Sequence, residues 1–189
     1  MWDDTNFFGN VRKVLFANNI SQSQVDGIKL INQTWQDHGD GDVRKWAYVL
    51  ATPYWETGRT MQPIEEYGKG RGHAYGLPTG PWHQVYDGNG DVQLTFEANY
   101  RKATQSLHAK GLFLDCDLEK NAALARRPDI AAAVLVYGMQ EGWFTGKKLS
   151  DYITAASCDY INSRRIINIL DRAQIIAGFG NEFLAALKL

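Results

Sequence analysis

The sequence is poor in residues that build covalently or metal-held scaffolds. Its two cysteines, Cys116 and Cys158, stand far apart with no CxxC spacing, so neither a disulfide framework nor a zinc knuckle is signalled and both are expected as buried free thiols. The four histidines, His38, His73, His83 and His108, have no HExxH or other tight ligand spacing, and no metal or other cofactor is expected. Neither sign of charge dominates: a formal charge of -1 leaves no cationic footprint for phosphates, which argues against a nucleic-acid partner. Long apolar runs are also missing. The opening, MWDDTNFFGNVRKVLF, is acidic before it is basic, and its apolar run is too short and broken for a secretory signal or a membrane span. Synthesis into the cytosol without stable membrane association is the expectation.

What is present suits a folded chain. Hydrophobic residues make up 44% and charged residues 22% of 189 residues, the balance of one globular domain spanning 1–189, expected as a monomer. From Ser21, SQSQVDGIKLINQTWQ places Val25, Ile28, Ile31 and Trp35 near helical spacing behind a plausible N-cap. DHGDGD breaks that helix and offers Asp42 as the cap of the next, whose apolar stripe runs through Trp46, Val49 and Leu50 to Tyr54. Pro53 favours a kink near its end, and Gly58 suits a left-handed cap beyond it. Residues 67–91 are dense in glycine, with Pro78 and Pro81, and read as a long irregular loop of the kind that often carries function. VQLTF reads as a short strand or an extended lead into a helix near residues 98–107. The second half reads as three helices: residues 129–137 before Gly138, then LSDYITAASCDYINSRRIINIL, then DRAQIIAGFGNEFLAALKL. The class is mainly α with a small β or irregular insert.

The stretch YWETGRTMQPIEEYG holds Glu56, Glu65 and Glu66. In one straight helix, Glu56 and Glu66 would lie roughly 15 Å apart. Gly58 and Pro63 instead permit a helix end and a returning loop, which could set Glu56 opposite Glu65 or Glu66. Two carboxyls about 6.5 to 9.5 Å apart are what an inverting glycosidase uses to seat water against a sugar. The roles must be divided by environment. Glu56, behind Tyr54 and Trp55 on a core-facing helix, is expected to have a carboxyl raised by desolvation and to be the acid. Glu65 or Glu66, in a wetter loop, is the candidate base. A solvated helix end is the plain alternative for Glu56, and helix capping the plain alternative for Thr95 and Asn99.

Four separated motifs, WETGRTMQPIEEYG, DGNGDVQLTFEANYRKA, GMQEGWFTGKKLSDYI and DYINSRRIINILDRA, resemble in order those of phage endolysins and prophage lysozyme-like proteins related to the family 19 chitinases. The resemblance extends to FFGNVRKVLF, SQSQVDGIKLI and the terminal segment. It implies a lysozyme-like, two-lobed, mainly α domain without a separate cell-wall-binding module. It also implies a phage endolysin that cleaves β-1,4 bonds of bacterial peptidoglycan by inversion. Such a protein would be made in the host cytoplasm and act on the wall after another protein permeabilises the membrane. Glu56 falls on the family's general acid and Glu66 on its second carboxylate, with Glu65 an alternative because some relatives place that acid one step earlier. Gln93, Thr95 and Asn99 match residues that position water and sugar. Asn168 resembles a cleft asparagine, and Tyr67, with Tyr75, Trp82 and Tyr86, is a candidate stacking platform for sugar rings.

There are departures. Trp55 replaces a common histidine, Asn89 and Asp91 stand where an arginine and an aromatic are usual, and Asp87 adds a carboxylate. A chitinase, or a non-catalytic glycan-binding relative, is therefore the alternative. DGNGD fails as a calcium loop because Val92 and Ala98 occupy its glycine and glutamate positions, and GKGRG lacks the ending of a phosphate loop. The terminal segment has nearly balanced charge and reads as a packing helix.

Overall fold

A computed structural model describes residues 4–188. Its helices are α1 (Asp4–Val14), α2 (Gln22–His38), α3 (Val43–Glu56), α4 (Glu97–Ala109), α5 (Pro128–Glu141), α6 (Tyr160–Ser163) and α7 (Ala173–Leu187). Two short strands, β1 (Ile64–Glu65) and β2 (Asn89–Gly90), pair antiparallel with Ile64 opposite Gly90 and Glu65 opposite Asn89.

The caps fall where local chemistry puts them. Ser21 and Gln24 form a reciprocal capping box, with Gln24 N–H donating to Ser21 Oγ at 3.2 Å and Ser21 N–H to Gln24 Oε1 at 2.8 Å. Asp42 accepts from Arg44 N–H at 2.9 Å and opens α3. Each such cap contributes about 1 kcal/mol. α3 runs through Pro53 and ends at Glu56, after which the Thr57 hydroxyl turns back onto the Pro53 carbonyl at 2.7 Å and Gly58 takes φ +59°.

α5 is apolar nearly all round, and a helix of that kind belongs in the interior. It packs against α2, α3 and α4, so it touches both the helical lobe and the smaller one. α3 lies along α7, which also receives α1 and α6. The rings of Phe16, Phe179 and Phe183 surround Tyr54 with centroids 4.7 to 5.8 Å away, fixing the end of α3 against α7. Edge-to-face pairs of this type contribute about 0.5–1.5 kcal/mol each beyond their buried area. The smaller lobe holds the β pair, the glycine-rich loop and α4, with β2 against a 3-10 turn at Ala122–Arg126.

Four expectations are corrected. α5 does not stop before Gly138 but continues to Glu141 and closes on left-handed Gly142. Gly138 serves close packing instead: a Cβ there would lie 2.3 Å from the Phe144 ring. The segment LSDYITAASCDYINSRRIINIL is not one helix. It consists of a 3-10 turn (Leu149–Asp151), a bridge between Ile153 and Cys158, the single turn of α6, a second 3-10 turn (Arg164–Ile166) and further turns. Asp159 breaks it by capping α6, accepting from Asn162 N–H at 2.9 Å. Cys116 is buried and free, but Cys158 is exposed because it lies in that bridge rather than on a packed helix face. VQLTF forms a tight turn closed by the Asn89–Leu94 bridge and is not a strand. Among the described residues no helix is long and apolar enough to cross a membrane.

Candidate active site

A cleft of about 700 Å³ runs between the lobes, and Glu56 and Glu66 both line it. Glu56 reaches it as the last residue of α3. Its side chain is 14% exposed and ion-paired with Arg164, which is 3% exposed and also donates through Nε to the Asp171 carbonyl at 3.0 Å. Burial pushes the Glu56 carboxyl up, against the downward pull of the Arg164 guanidinium. A proton donor at near-neutral pH needs that direction of shift.

Glu66 follows β1 and is placed by backbone. Its N–H donates to the Gly88 carbonyl at 2.7 Å, and Gly88 N–H returns a bond to Glu66 Oε2 at 3.2 Å. Tyr75 Oη donates to Oε1 at 3.4 Å, a long contact. Gly88 lies close against both side chains: a Cβ would stand 2.8 Å from Gln93 Oε1 and 3.3 Å from Glu66 Oε2.

Strand alternation separates Glu65 from Glu66. Glu65 points to the other face, where it pairs with Lys69 at 2.9 Å and with Arg126 and lines a second cavity of about 400 Å³. Lys69, then Arg126, hold its carboxyl below the usual range.

Gln93, Thr95, Asn99 and Asn168 all line the cleft with Glu56 and Glu66. They interlock through main chain. Gln93 Nε2 donates to the carbonyls of Ile64 and Gly90, both at 3.3 Å, the Thr95 hydroxyl to Gln93 O at 2.8 Å, and Asn99 Nδ2 to Thr95 O at 2.8 Å. Asn168 Oδ1 accepts from Ile169 N–H at 2.8 Å. Tyr67 is 91% exposed and does not line the cleft, Trp82 lies outside it, and Tyr86 is buried in the core. Tyr75 does line it, with its ring 5.3 Å from that of Phe96 at 80° and 4.9 Å from that of His73 at 4°.

Asn89 and Asp91, which depart from the resembled motif, are buried beneath this wall. Asn89 Nδ2 bonds to Asp87 Oδ1 and to Tyr100 Oη, each at 2.8 Å. Burial alone raises the Asp91 carboxyl to about 7.

The chain reading missed Arg164, Gly88, Phe96, Phe144, Lys147 and Arg165. Arg164 and Arg165 are adjacent in SRRII, yet one is buried and one exposed, a split that no periodicity in an irregular segment announces. The density of glycine before QLT was the signal for Gly88. Among the described residues no group of three or more His, Cys, Asp or Glu is placed to hold a metal ion.

Chitinase C from Streptomyces griseus HUT6037 superposes with a TM-score of 0.64 at 19% identity, covering 98% of this chain and 76% of that one. The fold is that of the family 19 chitinases. A bacterial family 19 chitinase, whose structure is described as revealing differences with plant enzymes, gives 0.56 at 18% identity over 99% of this chain and 95% of its own. A chitinase C mutant gives 0.54 at 18% identity, over 99% and 92%. No family model matches the sequence, and no curated protein matches it significantly.

Proposed function

We propose that this chain is a phage endolysin of family 19 chitinase type that hydrolyses the glycan strand of bacterial peptidoglycan with inversion. The observation that carries the reading is the sharing of one cleft by Glu56, buried beside Arg164, and Glu66, which accepts through both oxygens. The likeness of fold to chitinases supports a glycan as substrate.

In this reaction protonated Glu56 gives its proton to the glycosidic oxygen as that oxygen leaves the anomeric carbon. Glu66 takes a proton from a water that attacks the same carbon from the opposite face. The products are a new hydroxyl on the departing sugar and a reducing end of inverted configuration. Thr95 and Asn99 hold the water and sugar, and no cofactor takes part. Acting in the periplasm, the enzyme would depend on a separate protein to permeabilise the membrane.

Because the structural neighbours are chitinases, cleavage of chitin oligomers is the second reading. Both are tested by mass spectrometry of sacculi and of chitin oligomers after digestion by the wild type and by Glu56→Gln. Disaccharide-peptides with a new reducing sugar, absent with the variant, are expected. Cleavage of chitin alone would support the second reading, and severed peptides on intact glycan would overturn both.

A further inference from the structure

The cleft is unevenly charged. Glu66 follows β1, whereas Lys147 and Arg165 reach the same cleft from two later segments of the chain. They come from segments fastened together by Thr145, whose hydroxyl lies 2.6 Å from the Arg165 carbonyl and 3.1 Å from that of Ile166. Lys147 N–H returns to Thr145 Oγ at 3.3 Å. Gly138 gives this loop its seat by admitting the Phe144 ring against α5. Both cations are exposed on a fixed stretch of backbone.

Among the described residues neither has a carboxylate partner. Arg165 donates only to Asn162 Oδ1, at 3.2 Å, and Lys147 forms no ion pair, whereas Arg101, Arg126 and Arg164 are all neutralised by glutamates. Two unneutralised cations on one wall of a glycan cleft are suited to an anion carried by the glycan. A strand of N-acetylglucosamine alone is neutral. A peptidoglycan strand carries, on the lactyl group of alternate sugars, a peptide stem with free carboxylates.

We propose that Lys147 and Arg165 form a subsite for the carboxylates of the peptide stem and so favour peptidoglycan over chitin. This rests on the glycan reading above and names what distinguishes the substrate. Arg165 supplies a planar fork and Lys147 a mobile point charge. An exposed ion pair contributes up to about 1 kcal/mol, or roughly fivefold in affinity for each residue.

The test is calorimetric titration of Glu56→Gln, which binds without turnover, with soluble glycan fragments bearing peptide stems and with the same fragments after an amidase has removed the stems and the lactyl carboxylates so exposed have been methyl-esterified. Tighter binding of the stem-bearing fragments is expected, with an advantage that shrinks as salt is raised. Adding Lys147→Gln and Arg165→Gln should lower the ratio of the two affinities by about 5- to 25-fold. Equal affinities at the outset, a ratio unmoved by the double substitution, or no binding of either fragment would each overturn the subsite. Failure of the wild type to release reducing ends from sacculi would instead sink the glycosidase, leaving the affinity ratio to decide the subsite.

Discussion

The two carboxylates of the cleft are held in opposite ways. Glu56 ends a fourteen-residue helix whose last turns are packed in aromatic rings, and burial raises its carboxyl against the pull of one buried arginine. Glu66 leaves a two-residue strand and is aimed by a glycine amide and a tyrosine hydroxyl. A wall of packed helix excludes water and shifts a proton equilibrium, while a wall of turns presents hydrogen-bond donors and stays open to a water nucleophile. The asymmetry matches the separate duties of acid and base.

The contrast breaks first at its carboxylates. Glu66→Gln is expected to lower kcat/KM on sacculi by about 100- to 10,000-fold, the range of a lost acid or base. Glu65→Gln, turned to the other face, should lose less than about tenfold. Equal losses in the two variants, measured by reducing-end release, would remove the distinction that strand alternation draws between them.

Arg164→Met tests the helical wall. Removing one partner of a buried pair costs about 3–5 kcal/mol of stability, read by urea denaturation. With the guanidinium gone, the Glu56 carboxyl should rise further, so the alkaline limb of the pH–rate profile moves to higher pH. An unmoved limb would mean that Glu56 is not the acid.

The wall of turns has its own pH signature in Asp91. Its carboxyl, raised to about 7 from 3.8, stays protonated in the folded state after the unfolded chain has ionised. Folding stability should therefore fall as pH climbs from about 4 to 7, by an order of 4 kcal/mol at most, and Asp91→Asn should flatten that slope in denaturant titrations. A smaller effect than that of Glu66→Gln is expected from Gly88→Ala, which crowds Glu66 and Gln93 by tenths of an ångström. It should cost about tenfold in kcat with little change in melting temperature.

What the chain disclosed follows the same division. Ser21, Asp42 and the helix ending at Glu56 were legible because caps and apolar stripes are local signals. The cleft grouping of Glu66, Gln93, Thr95, Asn99 and Asn168 was legible through the resemblance to the family 19 motifs. Glu65 and Tyr67 were not separable from their neighbours, since a two-residue strand is too short to display alternation in sequence. The segment 149–170 misled because its apolar residues fall at helical intervals while Asp159 and the Ile153–Cys158 bridge interrupt them. Arg164 was invisible because its partner lies 108 positions away.

That distance has a consequence for the order in which the molecule is made. The cation that neutralises Glu56 and the helix that seals Tyr54 both come from the final quarter of the chain. On the ribosome, α3 and the QLT turn emerge with the acid still uncovered. Only when the Arg164 turn and α7 dock does the carboxyl acquire its counter-charge and its shelter from water, so the completed site is a late product of synthesis and a truncated chain would carry the residues of catalysis without their setting.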